Sequence, residues 1–309
     1  MTLMQPTPPR GIRVADHVRE AVASGRPVLA LESTILTHGL PRPRNLDVGL
    51  ETEALVRDAG VVPATIGVVA GVATVGLTES EIERLCTADG VVKASTRDLP
   101  VARAQELDAG TTVAATAWLA HRAGIRVMST GGLGGVHRGA SETFDESADL
   151  PTLAVTPITL VSAGVKSILD VGATLERLET LGIPVVGYRT LRYPGFYVAD
   201  SGFALETRIE SAADAAAIAR ARDDLGLDAA VLVANPIAEA EQLDPGLHDR
   251  VLAEALAAAD AAGVTGHDTT PFLLDFVQRA TGGRSLEVNL AVYRGNAALG
   301  AEIARAVAG

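Results

Sequence analysis

Eight short, mostly apolar runs with many β-branched residues recur along the chain: PVLALEST (27–34), ATIGVVAG (64–71), VVKAS (91–95), IRVMSTGG (125–132), TLAVTP (152–157), ITLVSAG (158–164), PVVGYRT (184–190) and AAVLVANP (229–236). Between them lie helical stretches such as RNLDVGLETEALVRDAG and TTVAATAWLAHRAG, each closed by a glycine where a helix needs its C′ residue. A strand covered on both faces is apolar at nearly every position, and a helical crossover leaves successive strands parallel. The pattern therefore predicts α/β architecture, a three-layer α/β/α sandwich around a largely parallel or mixed central sheet. From about residue 245 the chain reads as helix only. No linker, low-complexity stretch or fixed-period repeat divides it, which predicts a flexible tail over 1–10 and a single domain over 11–309.

Composition narrows the function classes. Apolar residues make up 48% of the chain and aromatics 3%, a mixture suited to strands and small-residue helices packed closely. A formal net charge of −12 argues against a nucleic-acid polymer or an anionic membrane as partner, while leaving room for a local cationic pocket that takes a small phosphorylated ligand. The single cysteine, Cys86, excludes an internal disulfide framework and reads as a packing residue near the end of a surface helix. The opening MTLMQPTPPRG lacks the apolar centre of a signal peptide, and no stretch reaches the roughly 20 apolar residues that span a bilayer. The expectation is a cytoplasmic protein.

In parallel sheets, ligands gather at the carboxyl ends of the strands. The chemically rich residues fall there: Glu32 in LALEST, Lys93 in VVKAS, Thr130 before the glycines of STGGLGGVH, Lys166 after LVSAGV, and Asn235 in VLVANP. His38, in THGLPRP, follows the Glu32 strand and could line the same rim. Of 26 basic residues only Lys93 and Lys166 are lysine. KSILDVG reads as a short helix beginning at Lys166, where lost hydration and the helix dipole would favour a neutral amine able to attack a carbonyl. Arginine stays protonated and cannot do this. The alternative is a lysine with its stem on the sheet and its head in solvent; the avoidance of lysine elsewhere favours the nucleophile. Lys93, followed by Ser95, Thr96 and Arg97 before a helix capped near Asp98, suits a phosphate cradle or a solvated loop. Glu32, ending an apolar strand, suits a general acid or a partner for a nearby arginine.

The stretch STGGLGGVHRGASETFDESADLP (129–151) opens with four closely spaced glycines, 131, 132, 134 and 135, that permit close backbone approach, but it has neither dinucleotide nor P-loop spacing. Its second half offers His137, Asp145, Ser147 and Asp149. These suit Mn²⁺ or Mg²⁺ more than Zn²⁺, or else form a capped acidic helix start. His17, His121 and His248 read as surface residues on helices.

Taken together, LALESTILTHGLPRPRN, VPATIGVVAG, VGLTESEIERL, KASTRDLP, STGGLGGVHRGASETFDESADL, AGVKSILD, VANPI and TPFLL resemble the pseudouridine-5′-phosphate glycosidase family, with its indigoidine synthase A-like fold, in family order from about residue 28 onward. The resemblance implies reversible cleavage of the C–C glycosidic bond of pseudouridine 5′-phosphate to uracil and ribose 5-phosphate. It implies Lys166 as the covalent nucleophile at C1′, through a ring-opened Schiff base, and Glu32 as the proton donor. It also implies one Mn²⁺ per subunit on Asp145, and substrate contacts from Lys93, Val113, Thr130, His137, Ser147, Ala148, Asp149 and Asn289. A homotrimer is implied as well. The chain departs from the family pattern at Thr96, Gly195, His267 and Asp268. Two other functions stay open: a C-ribosyl synthase acting on another heterocycle, and a non-catalytic phosphosugar-binding protein.

Overall fold

The computed structural model describes residues 11–264 and 269–309. The expected tail over 1–10, and the departures at His267 and Asp268, lie outside the described residues. The strands are β1 (Ile12–Val14), β2 (Val28–Leu31), β3 (Val62–Val69), β4 (Val72–Val75), β5 (Val92–Ala94), β6 (Ala109–Thr111), β7 (Val127–Ser129), β8 (Thr159–Ser162), β9 (Val185–Tyr188), β10 (Thr207–Ile209) and β11 (Val231–Ala234).

The main sheet runs β3-β2-β7-β8-β11-β9-β10, with every neighbouring pair parallel. Its strands split their residues by the period of two. Val28, Ala30, Leu160 and Leu232 pack on one face with the helices Asp16–Ala23, Val113–Arg122, Asp149–Leu153 and Val171–Thr180. Leu29, Leu31, Val161, Val231 and Val233 pack on the other with the helices Arg44–Asp58, Ala212–Asp224 and Arg284–Ala308. Both faces are dry, so the strands are apolar throughout, and the α/β/α sandwich follows as expected.

β3 is eight residues long and serves two sheets. Val62–Thr65 pair with β2, whereas the segment from Ile66 leaves to pair antiparallel with β4 and β6. With β1 on β4 and β5 on β6, both parallel, this makes a small mixed sheet beside the main one. Glycines do close the two helices quoted above, Gly60 and Gly124 having φ of +75° and +82°. Cys86 is buried at the end of the helix Glu79–Thr87, and burial pushes its thiol up to about 11, which suits the packing role read for it.

Some expectations fail. TLAVTP (152–157) is not a strand: Thr152 and Leu153 end the helix Asp149–Leu153, with Leu150 and Leu153 both fully buried at helical spacing. A short apolar run reads alike for a buried strand and a buried helix. KSILDVG is not a helix starting at Lys166. The helix begins at Val171, with the Asp170 carboxylate accepting from Ala173 N at 2.9 Å. Residues 165–170 are instead held alongside 133–136, where Leu133 bridges Val165 and Asp170 N donates to Val136 O at 2.9 Å. Asp98 does stand at the N-cap of the helix Leu99–Ala104, as expected, with its carboxylate turned back to accept from Ser95 N at 2.9 Å. His248 is buried rather than on the surface, its Nδ1 3.0 Å from Asp249 Oδ1. Among the described residues, no helix is long and apolar enough to cross a membrane.

Candidate active site

β2 and β7 are neighbours in register, with Leu31 opposite Ser129. One residue further, Glu32 and Thr130 stand side by side, both buried, and Thr130 Oγ1 donates to Glu32 Oε1 at 2.6 Å. Burial drives the Glu32 carboxyl above the ordinary carboxylate range. The Lys166 charge, the Thr130 hydrogen bond and the Lys93 charge pull it back, while Asp149 pushes it further up. The net result is a carboxyl biased toward its protonated form, as a general acid requires.

β8 lies on the other side of β7, and the chains leaving the two strands stay paired beyond the sheet. Ala163 N donates to Gly131 O at 3.0 Å, Leu133 N to Gly164 O at 2.9 Å, and Lys166 N to Leu133 O at 3.0 Å. This ladder, not a helix terminus, delivers Lys166, which is half-buried. It also explains two of the glycines. A Cβ on Gly132 would fall 2.6 Å from the Phe196 ring and 3.2 Å from Lys166 Cγ; one on Gly134 would fall 2.3 Å from Ser147 Oγ and 2.6 Å from Asp149 Oδ2. The glycine run lets these side chains close on the backbone.

Asp149, also buried, accepts from Ala114 N at 2.8 Å and from Gly134 N at 2.9 Å. Its carboxylate thus joins the start of the Val113–Arg122 helix to the glycine loop, a favourable site for a negative charge. Ser147 Oγ accepts from Asp149 N at 3.2 Å, with Ala148 between them at the start of the Asp149–Leu153 helix. Val113 opens the helix that Asp149 anchors.

Lys93 comes from β5 of the small sheet and keeps much of its surface in solvent. Partial loss of hydration and the Lys166 charge hold its pKa below the usual lysine value, against the pull of Asp149 and Glu32. Glu32 and Lys93 therefore each feel the other's charge together with those of Lys166 and Asp149 at one rim. His38 lies on the Lys93 side: lost hydration and then the Lys93 charge depress its imidazole, and its Nδ1 is 2.7 Å from Thr37 Oγ1.

His137 and Asp145 face each other across a turn, His137 N donating to Asp145 O at 3.0 Å and Nδ1 standing 3.9 Å from Oδ2. Among the described residues no three His, Cys, Asp or Glu side chains group as a metal site. One partly exposed carboxylate with an imidazole nearby fits a hard cation that keeps most of its water, and does not fit a closed protein cage.

The last helix, Arg284–Ala308, closes the rim. Asn289 Oδ1 is buried without a hydrogen-bond partner and lies 3.5 Å from where a Gly131 Cβ would be, leaving an acceptor open toward the loop. Three residues here escaped the reading of the sequence. Asn296 donates through Nδ2 to Thr130 O at 2.7 Å and Gly131 O at 3.1 Å. Tyr293, fully buried, is held protonated by burial and by the negative charges of Glu32 and Glu53. Phe196, buried over Gly132, has φ of +65°, a left-handed backbone that a bulky residue adopts only under constraint. Two asparagines seven apart, and so on one face of the last helix, were the available signal. Gly195 precedes Phe196, and a Cβ there would meet Val198 Cγ2 at 2.7 Å. A cleft of about 570 Å³ opens beyond the Lys166 loop, between Arg138, Ser167, Asp170, Asp200, Glu239 and Asp249. It contains none of Glu32, Lys93 and Lys166.

Known proteins resemble this chain over nearly its whole length. A pseudouridine-5′-phosphate glycosidase of Saccharopolyspora erythraea is 66% identical over 296 residues, covering 96% of this chain and 98% of that protein. One of Frankia alni is 58% identical, covering 96% and 82%. Among solved structures, the prealnumycin C-glycosynthase AlnA in complex with ribulose 5-phosphate superposes with a TM-score of 0.90 at 38% identity, covering 97% of this chain and 98% of that one. An indigoidine synthase A-like protein of Thermotoga maritima superposes at 0.87 and 36% identity, covering 96% and 97%. The family described as indigoidine synthase A like protein matches residues 17–306, and the chain belongs to it.

Proposed function

We propose that the chain is a pseudouridine-5′-phosphate glycosidase that cleaves, reversibly, the C–C bond between ribose C1′ and uracil C5. The observation that carries this reading is the Glu32 carboxyl, buried under the Thr130 hydroxyl and within the field of Lys166 on the next strand end but one. A C-glycoside has no leaving oxygen or nitrogen to protonate, so a pair of carboxylates alone serves it poorly. An amine beside an acid supplies another route.

In that route the uncharged Lys166 amine attacks C1′ and forms the N–C1′ bond. The C1′–O4′ bond breaks, and Glu32 gives its proton to O4′. After the nitrogen sheds a proton, its lone pair forms the C=N bond of a Schiff base as C1′–C5 breaks, and C5 of uracil takes up a proton. Water then hydrolyses the Schiff base to ribose 5-phosphate and frees Lys166. The reaction sums to substrate plus water giving uracil and ribose 5-phosphate. Lys93 holds the phosphate end by charge, Asn289 offers its open Oδ1 to the uracil N–H edge, and the glycine loop lets Ser147, Ala148 and Asp149 close on the sugar. Asp145, with His137 beside it, would hold a Mn²⁺ ion that adds positive charge near the phosphorylated substrate. The proposal extends to a homotrimer in the cytoplasm.

The test combines purified protein, Mn²⁺, ribose 5-phosphate and uracil, with mass spectrometry for pseudouridine 5′-phosphate and Lys166→Ala alongside. Product that vanishes in Lys166→Ala is expected. No product, but a borohydride-trapped ribose 5-phosphate adduct at Lys166, would move the reading to a C-ribosyl synthase with another heterocycle, which the AlnA likeness and Thr96 favour next. Neither product nor adduct overturns both and leaves a phosphosugar-binding protein.

A further inference from the structure

The chain leaving β7 carries Thr130, whose hydroxyl meets Glu32, and that chain is gripped from two sides. From β8, Val161 O accepts from Thr130 N at 3.0 Å and Ala163 N donates to Gly131 O at 3.0 Å. From the last helix, Asn296 spends its amide nitrogen on two successive carbonyls, Thr130 O and Gly131 O. Asn296 is itself 1% exposed, and its Oδ1 accepts from Asn235 Nδ2 at 2.9 Å. The two carbonyls decide which way the amide faces, because only its nitrogen end can donate to them, and Asn235 holds the oxygen end. Asn235 is fixed in turn, its backbone N donating to Ser162 O at 2.8 Å just past β11. Three adjacent strand ends and one helix thus meet at a single side-chain amide, 166 residues from Thr130 in sequence.

We propose that Asn296, oriented by Asn235, is a positioning residue for the Glu32 acid, holding the Thr130–Gly131 carbonyls so that the Thr130 hydroxyl stays on the Glu32 carboxyl. The proposal rests on Glu32 as the proton donor but not on the identity of the substrate. Glu32 is faced by Lys166 from the loop after β8, Lys93 from β5, Asp149 from its short helix, and Tyr293 from the last helix. The Thr130 hydrogen bond is the contact among these that Asn296 governs. It favours the ionised carboxyl, so loosening it moves the titration of Glu32 upward.

The experiment follows the protonated-carboxyl band of Glu32 by infrared difference spectroscopy in the substrate-free protein, assigned by its loss in Glu32→Gln. It also measures kcat and KM with pseudouridine 5′-phosphate. In Asn296→Leu the Glu32 midpoint is expected to move to higher pH, in the direction given by Thr130→Val, and kcat to fall about tenfold or more with KM little changed. The double variant Asn296→Leu, Thr130→Val is expected to add little to either single change, because both act through one contact. If Asn296→Leu does not fold, Asn235→Ala decides the matter through a smaller shift of the same sign. An unmoved Glu32 midpoint, whatever the loss of thermal stability, overturns the proposal and leaves Asn296 a helix anchor. A wild-type protein inactive on this substrate, but with the midpoint shifted in the variant, would sink the glycosidase reading and keep the positioning role.

Discussion

The two sheets supply the site with one lysine each, and they do so differently. Lys166 follows a central strand of the main sheet, half-buried on a ladder of backbone hydrogen bonds. Lys93 stands on β5 of the small sheet, in solvent over much of its surface. A half-buried amine on a backbone held by its neighbours suits bond making at a defined carbon, whereas an exposed ammonium at the rim suits recognition of a phosphate by charge. Replacing each lysine by arginine separates the two jobs, because the positive charge is kept and the capacity to become a free nucleophile is lost.

The largest effect is expected for Lys166→Arg. Turnover should fall below detection and no borohydride-trapped sugar adduct should form, as for alanine. Partial activity in the arginine variant would show that Lys166 acts by charge, erasing the contrast between the two sheets.

Glu32→Gln comes next. Removing a general acid costs about 10²–10⁴ in rate. The same change should stabilise the fold, and the sign follows from linkage. The folded pKa of Glu32 is raised, so its favourable contribution is complete below the unfolded pKa and is lost as pH rises through the folded value. Wild-type protein therefore carries a growing cost above about pH 4 that glutamine does not. Thermal melts should show a gap that is small in acid and opens to a few degrees at neutral pH, each ~1 kcal/mol being worth about 2–4 °C in proteins of 150–250 residues. A gap that shrinks with rising pH would mean that Lys166 and Lys93 stabilise the carboxylate more than burial penalises it.

The same division between sheets explains what could be read from the sequence. Glu32, Thr130 and Lys166 each follow an apolar run long enough to be recognised as a strand, and parallel strands send their ends to one rim. The small sheet was harder. β1 and β6 have three residues each, and β4 follows β3 after only Ala70 and Gly71, so ATIGVVAG read as one strand running into a glycine. β10, at the far edge of the main sheet, is three residues with its first two exposed, and carries no apolar run at all. The missed support for the site, Asn296 and Tyr293, lies on a helix whose own sequence says only that one face is buried. What that face touches depends on where the last helix crosses β2, β7 and β8, which no local pattern encodes. Lys166 was identified for its chemistry but given the wrong local structure, because pairing of 165–170 with 133–136 outweighs the helical propensity of KSILD.

Lys93→Arg is the smallest change, and it sharpens the comparison most closely. The guanidinium keeps the charge that a phosphate needs and has solvent into which its greater bulk can extend. The expected outcome is a rise in KM of less than about tenfold, which corresponds to under ~1.4 kcal/mol, with kcat little altered. The neighbouring His38 supplies an independent reading. Its imidazole is depressed by lost hydration and by the Lys93 charge, so Lys93→Gln should raise the His38 titration midpoint, whereas Lys93→Arg should leave it low. Nuclear magnetic resonance of the imidazole protons measures both. A collapse of kcat in Lys93→Arg, with His38 still depressed, would make Lys93 a participant in bond making and give the small sheet a share of the chemistry that its exposed position argues against.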